Sequence, residues 1–350
     1  MMGATMNTPA TIFIASDFVL DPALDVAAEE LRARGHTVLR GPRAVPGRKT
    51  VFPPKSLADH FGRADVLVAT SRVVVDSAVL DAAPRLRGIV FPSIGTESLD
   101  MADASRRGLL VANGATPENF LSMAEATVML MLNLFYDLRG TEQVLRSNGP
   151  RPQPLRARML MGQTVGLVGL GRIARAVAIR LAPFGVRLLA HSPRTRPEDA
   201  PPGVELVGLD TLLATSDIVS LHTTLSAQTR HLIGAEQLQR MKQTAFLLNT
   251  ARGACVDEAA LQAALRDGTI AGAALDAFVV EPLPADSPLR DLHNAILTPH
   301  MVGHTQELFA SFAPACVANV ESLLAGELPT YLCNPTAEQA WRERLARLGG

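Results

Sequence analysis

The run Gly169-Leu170-Gly171-Arg172-Ile173-Ala174 constrains this chain more than any other stretch. It sits in TVGLVGLGRIARAVAIRLAP, residues 164–183. Residues 164–168 are mostly β-branched and apolar, the pattern of a strand buried on both faces. From Arg172 onward alanine, valine, isoleucine and leucine recur at helical spacing until Pro183. Two glycines between a strand and a helix have separate uses. Gly169 permits the tight turn, Gly171 lets backbone approach a pyrophosphate, and a small third residue, here Ala174, allows close helix–strand packing. The helix N-terminus adds free N–H groups and partial positive charge. An ordinary glycine-rich turn of an α/β protein is the bland alternative, and the strand–turn–helix context weighs against it.

If a dinucleotide binds there, the second strand decides which one. That strand is predicted over residues 186–190, followed by His191-Ser192-Pro193-Arg194-Thr195-Arg196. A site for NAD places a carboxylate here to receive the ribose 2′-hydroxyl. The first acids, Glu198 and Asp199, come later in a proline-rich loop. A hydroxyl followed by two arginines suits a 2′-phosphate instead, through charge-assisted contacts. The expected cofactor is therefore NADP(H), with NAD the lesser choice. A solvated loop face is the competing reading of Arg194 and Arg196.

Three further residues carry chemistry. Arg252 follows an apolar run, residues 245–248, and Asn249-Thr250, so it falls at the carboxyl end of a predicted strand. Ligands bind at that edge in open α/β sheets. An arginine there can grip a planar carboxylate and polarise the neighbouring carbonyl. Gly253 beside it points to close backbone approach rather than a free surface loop. Glu281 follows the apolar run 270–275, and His300 follows another in AILTPHMVGHT. A carboxylate partner stabilises imidazolium, which can protonate a developing alkoxide, while the neutral ring accepts the proton in reverse. Read alone, Glu281 is equally a solvated loop acid before Pro282.

These stretches carry a resemblance. TVGLVGLGRIA, DIVSLHTTLSAQTRHLIG, FLLNTARGACVDEAAL, GAALDAFVVEPLP and ILTPHMVGHT are similar, in order, to the D-isomer-specific 2-hydroxyacid dehydrogenase family. A weaker likeness covers SIGTESLDMADASRRGLLVANGATPENFLSMAEATVML. The resemblance implies that Arg252 binds substrate, Glu281 pairs with His300, and His300 is the acid–base. It implies that Asp276 receives the nicotinamide carboxamide and that the backbone of Ile94-Gly95 helps hold the substrate carboxylate. The cofactor-site residues it implies are Gly169, Gly171, Arg172, Ile173, Ser192, Arg194, Thr223, Thr229, Thr250, Ala251 and Asp276. Ser192 with its arginines resembles the NADP-dependent glyoxylate and hydroxypyruvate reductases. Departures are Thr224 for the usual proline, Ala126 for a frequent histidine, and Met301-Val302 for isoleucine followed by glycine or alanine. A phosphonate dehydrogenase or a non-catalytic nucleotide-sensing corepressor on the same scaffold are the alternatives. Glu281 argues against a formate dehydrogenase, whose histidine pairs with an amide.

The 350 residues support two domains. With 47% hydrophobic and 19% charged residues, material for two cores is ample. The fold expected is α/β: two doubly wound parallel-sheet domains, a Rossmann cofactor domain inserted in a flavodoxin-like substrate domain. The boundaries expected are 1–117 plus 306–350 for the substrate domain and 118–305 for the dinucleotide domain. Strands are predicted over 11–15, 66–69, 87–93 and 108–113, with a helix over 22–35. A helix beginning at Thr116-Pro117-Glu118 runs to about Leu138, and another runs from Thr305 to Gly326, interrupted or kinked at Pro314. Residues 145–158 read as an exposed connection. A net charge of −1 argues against a nucleic-acid partner. No apolar stretch of membrane-spanning length and no secretory leader in MMGATMNTPA are read. Cys255, Cys316 and Cys333 have no metal spacing, and no metal is expected. Free thiols fit a reducing cytosol. The expected partner is a small 2-keto acid, and the resemblance implies a homodimer built through the nucleotide domain.

Overall fold

The computed structural model describes residues 9–349; residues 1–8, which include most of the stretch read for a secretory leader, and Gly350 lie outside the described residues. The chain divides into two compact units. One runs to Asn119 and resumes at Thr305; the other is Phe120–His304.

The first unit alternates strand and helix: β1 (Thr11–Ile14), α1 (Asp21–Ala33), β2 (Thr37–Arg40), α2 (Leu57–Phe61), β3 (Val66–Val68), α3 (Ser77–Asp81), β4 (Gly88–Val90), α4 (Met101–Arg106) and β5 (Leu110–Ala112). The five strands pair in parallel, in the order β2-β1-β3-β4-β5. Strands β3, β4 and β5 are buried at every residue, as strands covered on both faces must be. Pro22 in the first turn and the acidic Asp21 start α1, whose Ala23, Leu24, Ala27, Ala28 and Leu31 form its buried face.

The helix α5 (Pro117–Tyr136) leads into the second unit. The single helix expected to about Leu138 stops at Tyr136, because Asp137 takes a left-handed φ of 46°. A separate helix α6 (Leu138–Arg146) follows at a bend of 58°. Then come β6 (Thr164–Val168), α7 (Arg172–Leu181), β7 (Arg187–His191), β8 (Val204–Leu206), α8 (Leu209–Thr215) and β9 (Ile218–Leu221). The unit closes with α9 (Ala235–Arg240), β10 (Phe246–Asn249), α10 (Glu258–Arg266), β11 (Gly272–Leu275) and β12 (Ala295–Leu297). Its sheet is parallel throughout, in the order β12-β11-β10-β9-β6-β7-β8. The chain moves outward from β6 to β7 on one side and resumes on the other at β9. The point where strand order reverses therefore lies between β6 and β9, where such sheets bind ligands.

The chain ends with α11 (Gln306–Ala325) and α12 (Glu338–Leu348) in the first unit. Thr305 caps α11 by accepting the Leu308 N–H at 3.2 Å. Pro314 does not interrupt this helix, which runs unbroken for 20 residues. Leu308 and Phe312 before the proline and Cys316, Val317, Val320 and Leu323 after it share one core with α1. That packing offsets the one hydrogen bond the proline removes. By length and composition α11 is also apolar enough to cross a membrane, contrary to the sequence reading. Its buried side chains instead belong to the core of the first unit.

Candidate active site

In the second unit every predicted site residue follows a strand of one sheet or the turn after it. Gly169 and Gly171 come after β6, Ser192 and Arg194 after β7, and Thr223 and Thr229 after β9. Thr250, Ala251 and Arg252 come after β10, Asp276 after β11, and Glu281 later on the same connection; His300 comes after β12. Parallel pairing puts all these turns on one edge, the carboxyl edge. Ile94 and Gly95 lie beyond β4 in the first unit, where Asn113 Nδ2 donates to the Ile94 carbonyl at 3.0 Å.

The glycine turn has the shape a pyrophosphate needs. Gly169 has a φ of 94°, and a β-carbon there would lie 2.7 Å from the His222 carbonyl oxygen. No side chain fits that conformation and that space. At Gly171, the residue before α7, nothing lies within 4 Å of where a β-carbon would be. The N-terminus of α7 thus opens on clear space, and a dinucleotide phosphate fits there. Ala174 is fully buried, so the small third residue does bring helix and strand together. Ile173 is partly buried, and the Arg172 guanidinium lies 5.8 Å from the Phe120 ring.

On the neighbouring loop, the Thr195 hydroxyl donates to Ser192 Oγ at 2.8 Å. Arg194 is exposed, with no ion pair among the described residues. Arg196 pairs with Asp199 at 2.8 Å and Glu198 at 3.4 Å. After β9, Thr229 Oγ1 donates to the Thr224 carbonyl at 2.6 Å and accepts the Ser226 N–H at 2.7 Å, closing that loop on itself. Thr223 contacts the Cys255 thiol at 3.6 Å. Burial pushes His222 down to about 4, so its ring is neutral at physiological pH, paired to Ser220 at 2.9 Å.

Glu281 and His300 are paired, as expected. Both Glu281 oxygens lie on His300 Nδ1, at 2.9 and 2.8 Å. The two side chains retain 37% and 34% exposure, so a substrate can reach the ring. Burial works to raise the Glu281 pKa. It is outweighed by the His300 hydrogen bond and charge, the Phe278 N–H at 3.0 Å and the Arg252 charge, and the net direction is downward. His300 has a φ of 56°, rare for a side-chain-bearing residue, and such strain clusters at functional sites.

Three devices hold these loops, and the sequence reading missed most of their members. Asn249 Nδ2 donates to the Arg252 carbonyl at 3.0 Å, and its Oδ1 accepts the Ala251 N–H at 3.1 Å. Arg252 Nη1 reaches the Ala251 carbonyl at 2.8 Å. An asparagine at a strand end before a turn was the available signal. The second device is Asp276, only 2% exposed. Its Oδ1 accepts the Thr298 hydroxyl at 2.6 Å, the Met301 N–H at 2.9 Å and the Val302 N–H at 3.2 Å. These bonds bracket His300 on both sides. Glu258, at the start of α10, likewise accepts the Val279 N–H at 2.7 Å and steadies the segment leading to Glu281. Neither Thr298 nor Glu258 had a sequence signal.

A family model described as D-isomer specific 2-hydroxyacid dehydrogenase, NAD binding domain, matches residues 128–302. The glyoxylate reductase of Thermofilum pendens is 41% identical over 292 residues, 81% of this chain and 86% of that relative. The glyoxylate reductase of Korarchaeum cryptofilum is 38% identical over 292 residues, 82% of this chain and 88% of that relative. Among solved structures, a 2-hydroxyacid dehydrogenase from Ketogulonicigenium vulgare Y25 matches with a TM-score of 0.80 and 28% identity, over 93% of this chain and 98% of that one.

Proposed function

This chain belongs to the D-isomer-specific 2-hydroxyacid dehydrogenase family, and we propose that it reduces a small 2-keto acid such as glyoxylate or hydroxypyruvate with NADPH. The observation that carries the reading is the Glu281–His300 pair at 2.8–2.9 Å, on the sheet edge that also bears Arg252 and the glycine turn. The names of the glyoxylate reductase relatives support the substrate class.

A bound nicotinamide supplies the hydride. The chain's own residues bind the acid and move the proton. Arg252 offers a planar guanidinium, suited to holding the substrate carboxylate through two parallel hydrogen bonds. Glu281 occupies Nδ1 of His300, which leaves Nε2 for the substrate oxygen. In reduction the imidazolium gives its Nε2 proton to that oxygen; in oxidation the neutral Nε2 takes the hydroxyl proton. Glu281, held below its ordinary pKa, stays ionised and fixes the ring's tautomer through both directions.

Ser192 and Arg194, which has no ion pair among the described residues, support NADPH over NADH. Gly169, Gly171, Arg172 and Ile173 are assigned to the pyrophosphate, Thr223, Thr229, Thr250 and Ala251 to the rest of the nucleotide, and Asp276 to the carboxamide. The assigned division is a dinucleotide domain over 118–305 and a substrate domain over 1–117 with 306–350, to which Ile94 and Gly95 contribute the backbone for the substrate carboxylate. A homodimer is supported by large apolar side chains left exposed in the second unit, among them Met129, Tyr136, Leu145 and Met161, with Leu145 83% exposed. Three free cysteines support a cytosolic setting. The test is the decline of NADPH absorbance with a panel of 2-keto acids, run beside the same panel with NADH. A member that consumes NADPH with glyoxylate or hydroxypyruvate fits the proposal; turnover with neither acid overturns it.

A further inference from the structure

We infer that Arg175 is a positioning residue for the choice between NADPH and NADH: it fixes the 192–199 loop against the glycine turn, and this rests on the nucleotide-site reading above. Arg175 lies one turn into α7, the helix whose N-terminus faces the pyrophosphate site. Its Nε donates to the Leu170 carbonyl in the glycine turn at 3.1 Å. Its Nη1 donates to the Asp199 carbonyl, at the far end of the neighbouring loop, at 2.6 Å. One rigid guanidinium therefore spans the two segments that follow the paired strands β6 and β7.

The 192–199 loop has little else to hold it. None of its side chains is buried, so apolar packing contributes little to its position. Within the loop the Thr195 N–H reaches the Ser192 carbonyl at 3.0 Å, and a single 3₁₀ turn covers Pro197–Asp199. The same tethered end carries the loop's two acids. Both close on Arg196: Asp199 at 2.8 and 3.3 Å and Glu198 at 3.4 Å. A carboxylate loose on this loop would repel a 2′-phosphate and could accept a 2′-hydroxyl. Arg175 holds the backbone of Asp199 and Arg196 holds its carboxylate. Together they keep the acids engaged and leave Arg194 as the loop's cation without an ion pair among the described residues.

The test is a pair of dissociation constants, for NADPH and for NADH, from titration of nucleotide fluorescence with the full chain. The protein is taken as wild type, Arg175→Met, Arg175→Lys and Arg196→Ala. Arg175→Met should weaken NADPH by about tenfold, the scale of one charge-assisted hydrogen bond. NADH should weaken much less, so that the preference falls. Arg175→Lys should recover part of it, because an ammonium can still reach one of the two carbonyls. Arg196→Ala, at a side chain 70% exposed and so safe for folding, should shift the preference the same way by releasing both acids. An Arg175→Met preference equal to wild type, even with both nucleotides weakened, overturns the inference. If that variant does not fold, an unchanged preference in Arg196→Ala overturns it. The wild-type preference is a separate result: tighter NADH than NADPH sinks the NADPH reading, while the shift on substitution still decides the role of Arg175.

Discussion

Gly253 lies against Phe278 so closely that a β-carbon on the glycine would stand 2.0 Å from the Phe278 carbonyl carbon. The turn that carries Arg252 therefore rests on the backbone that leads to Glu281. Gly253→Ala must push the two segments apart, because the obstruction is main chain and cannot rotate away. Overpacking of this kind costs about 1–3 kcal/mol or more. The variant should show a Tm lower than that of wild type and of Gly171→Ala, where the added methyl meets no protein atom within 4 Å. Equal Tm for Gly253→Ala and wild type would contradict the packing described.

The Glu281–His300 pair predicts a particular pH behaviour. His300→Ala should lower the rate by roughly 10²- to 10⁴-fold, the range of general acid–base catalysis. Glu281→Gln should retain more activity than His300→Ala, since the ring remains in place but loses the carboxylate that orients it. The sign on the acid side follows from the lowered carboxyl. The pairing contributes fully above the ordinary value of 4.5 and is lost as pH falls through the lower folded-state value. Steady-state rates across pH for both variants check this.

Asp276 predicts a loop effect separable from any cofactor effect. Its Oδ1 holds Thr298, Met301 and Val302 around a histidine whose backbone is strained. Asp276→Ala leaves the two N–H groups unpaired and should speed amide exchange at Met301 and Val302 in the absence of nucleotide. Exchange at wild-type rates would contradict this bracing role.

The exposed apolar side chains of the second unit predict self-association. Sedimentation of the wild type should give a dimer, and Leu145→Lys combined with Met161→Lys should shift it toward monomer. A wild-type monomer at micromolar concentration would remove the homodimer from the account.

Residues 164–181 were legible because strand burial, turn glycines and helical spacing all point the same way there, and the structure places β6 and α7 as read. Strand ends were displaced by up to three residues, the strand expected over 87–93 being confined to Gly88–Val90, since hydrogen-bond pairing rather than apolar content decides where a strand stops. Arg252, Glu281 and His300 could be named because each follows an apolar run. Asn249 had its place at a strand end as a signal, whereas Thr298 and Glu258 had none, because their roles come from hydrogen bonds to distant residues that leave no period in the sequence. Helix α6 went unread for a related reason: it buries no side chain, so no core pattern marks it. At Pro314 the interruption expected as one outcome is absent, because packing on α1 and the sheet keeps the helix continuous across a local helix breaker.

The most direct measurement is single-turnover consumption of NADPH with glyoxylate at neutral pH, in wild type, His300→Ala and Arg252→Ala. The account predicts rapid loss of NADPH absorbance in wild type. It predicts a rate lower by roughly 10²-fold or more in His300→Ala, and a saturation point moved to much higher glyoxylate in Arg252→Ala. A His300→Ala rate equal to wild type would contradict proton transfer through this histidine and the mechanism built on it.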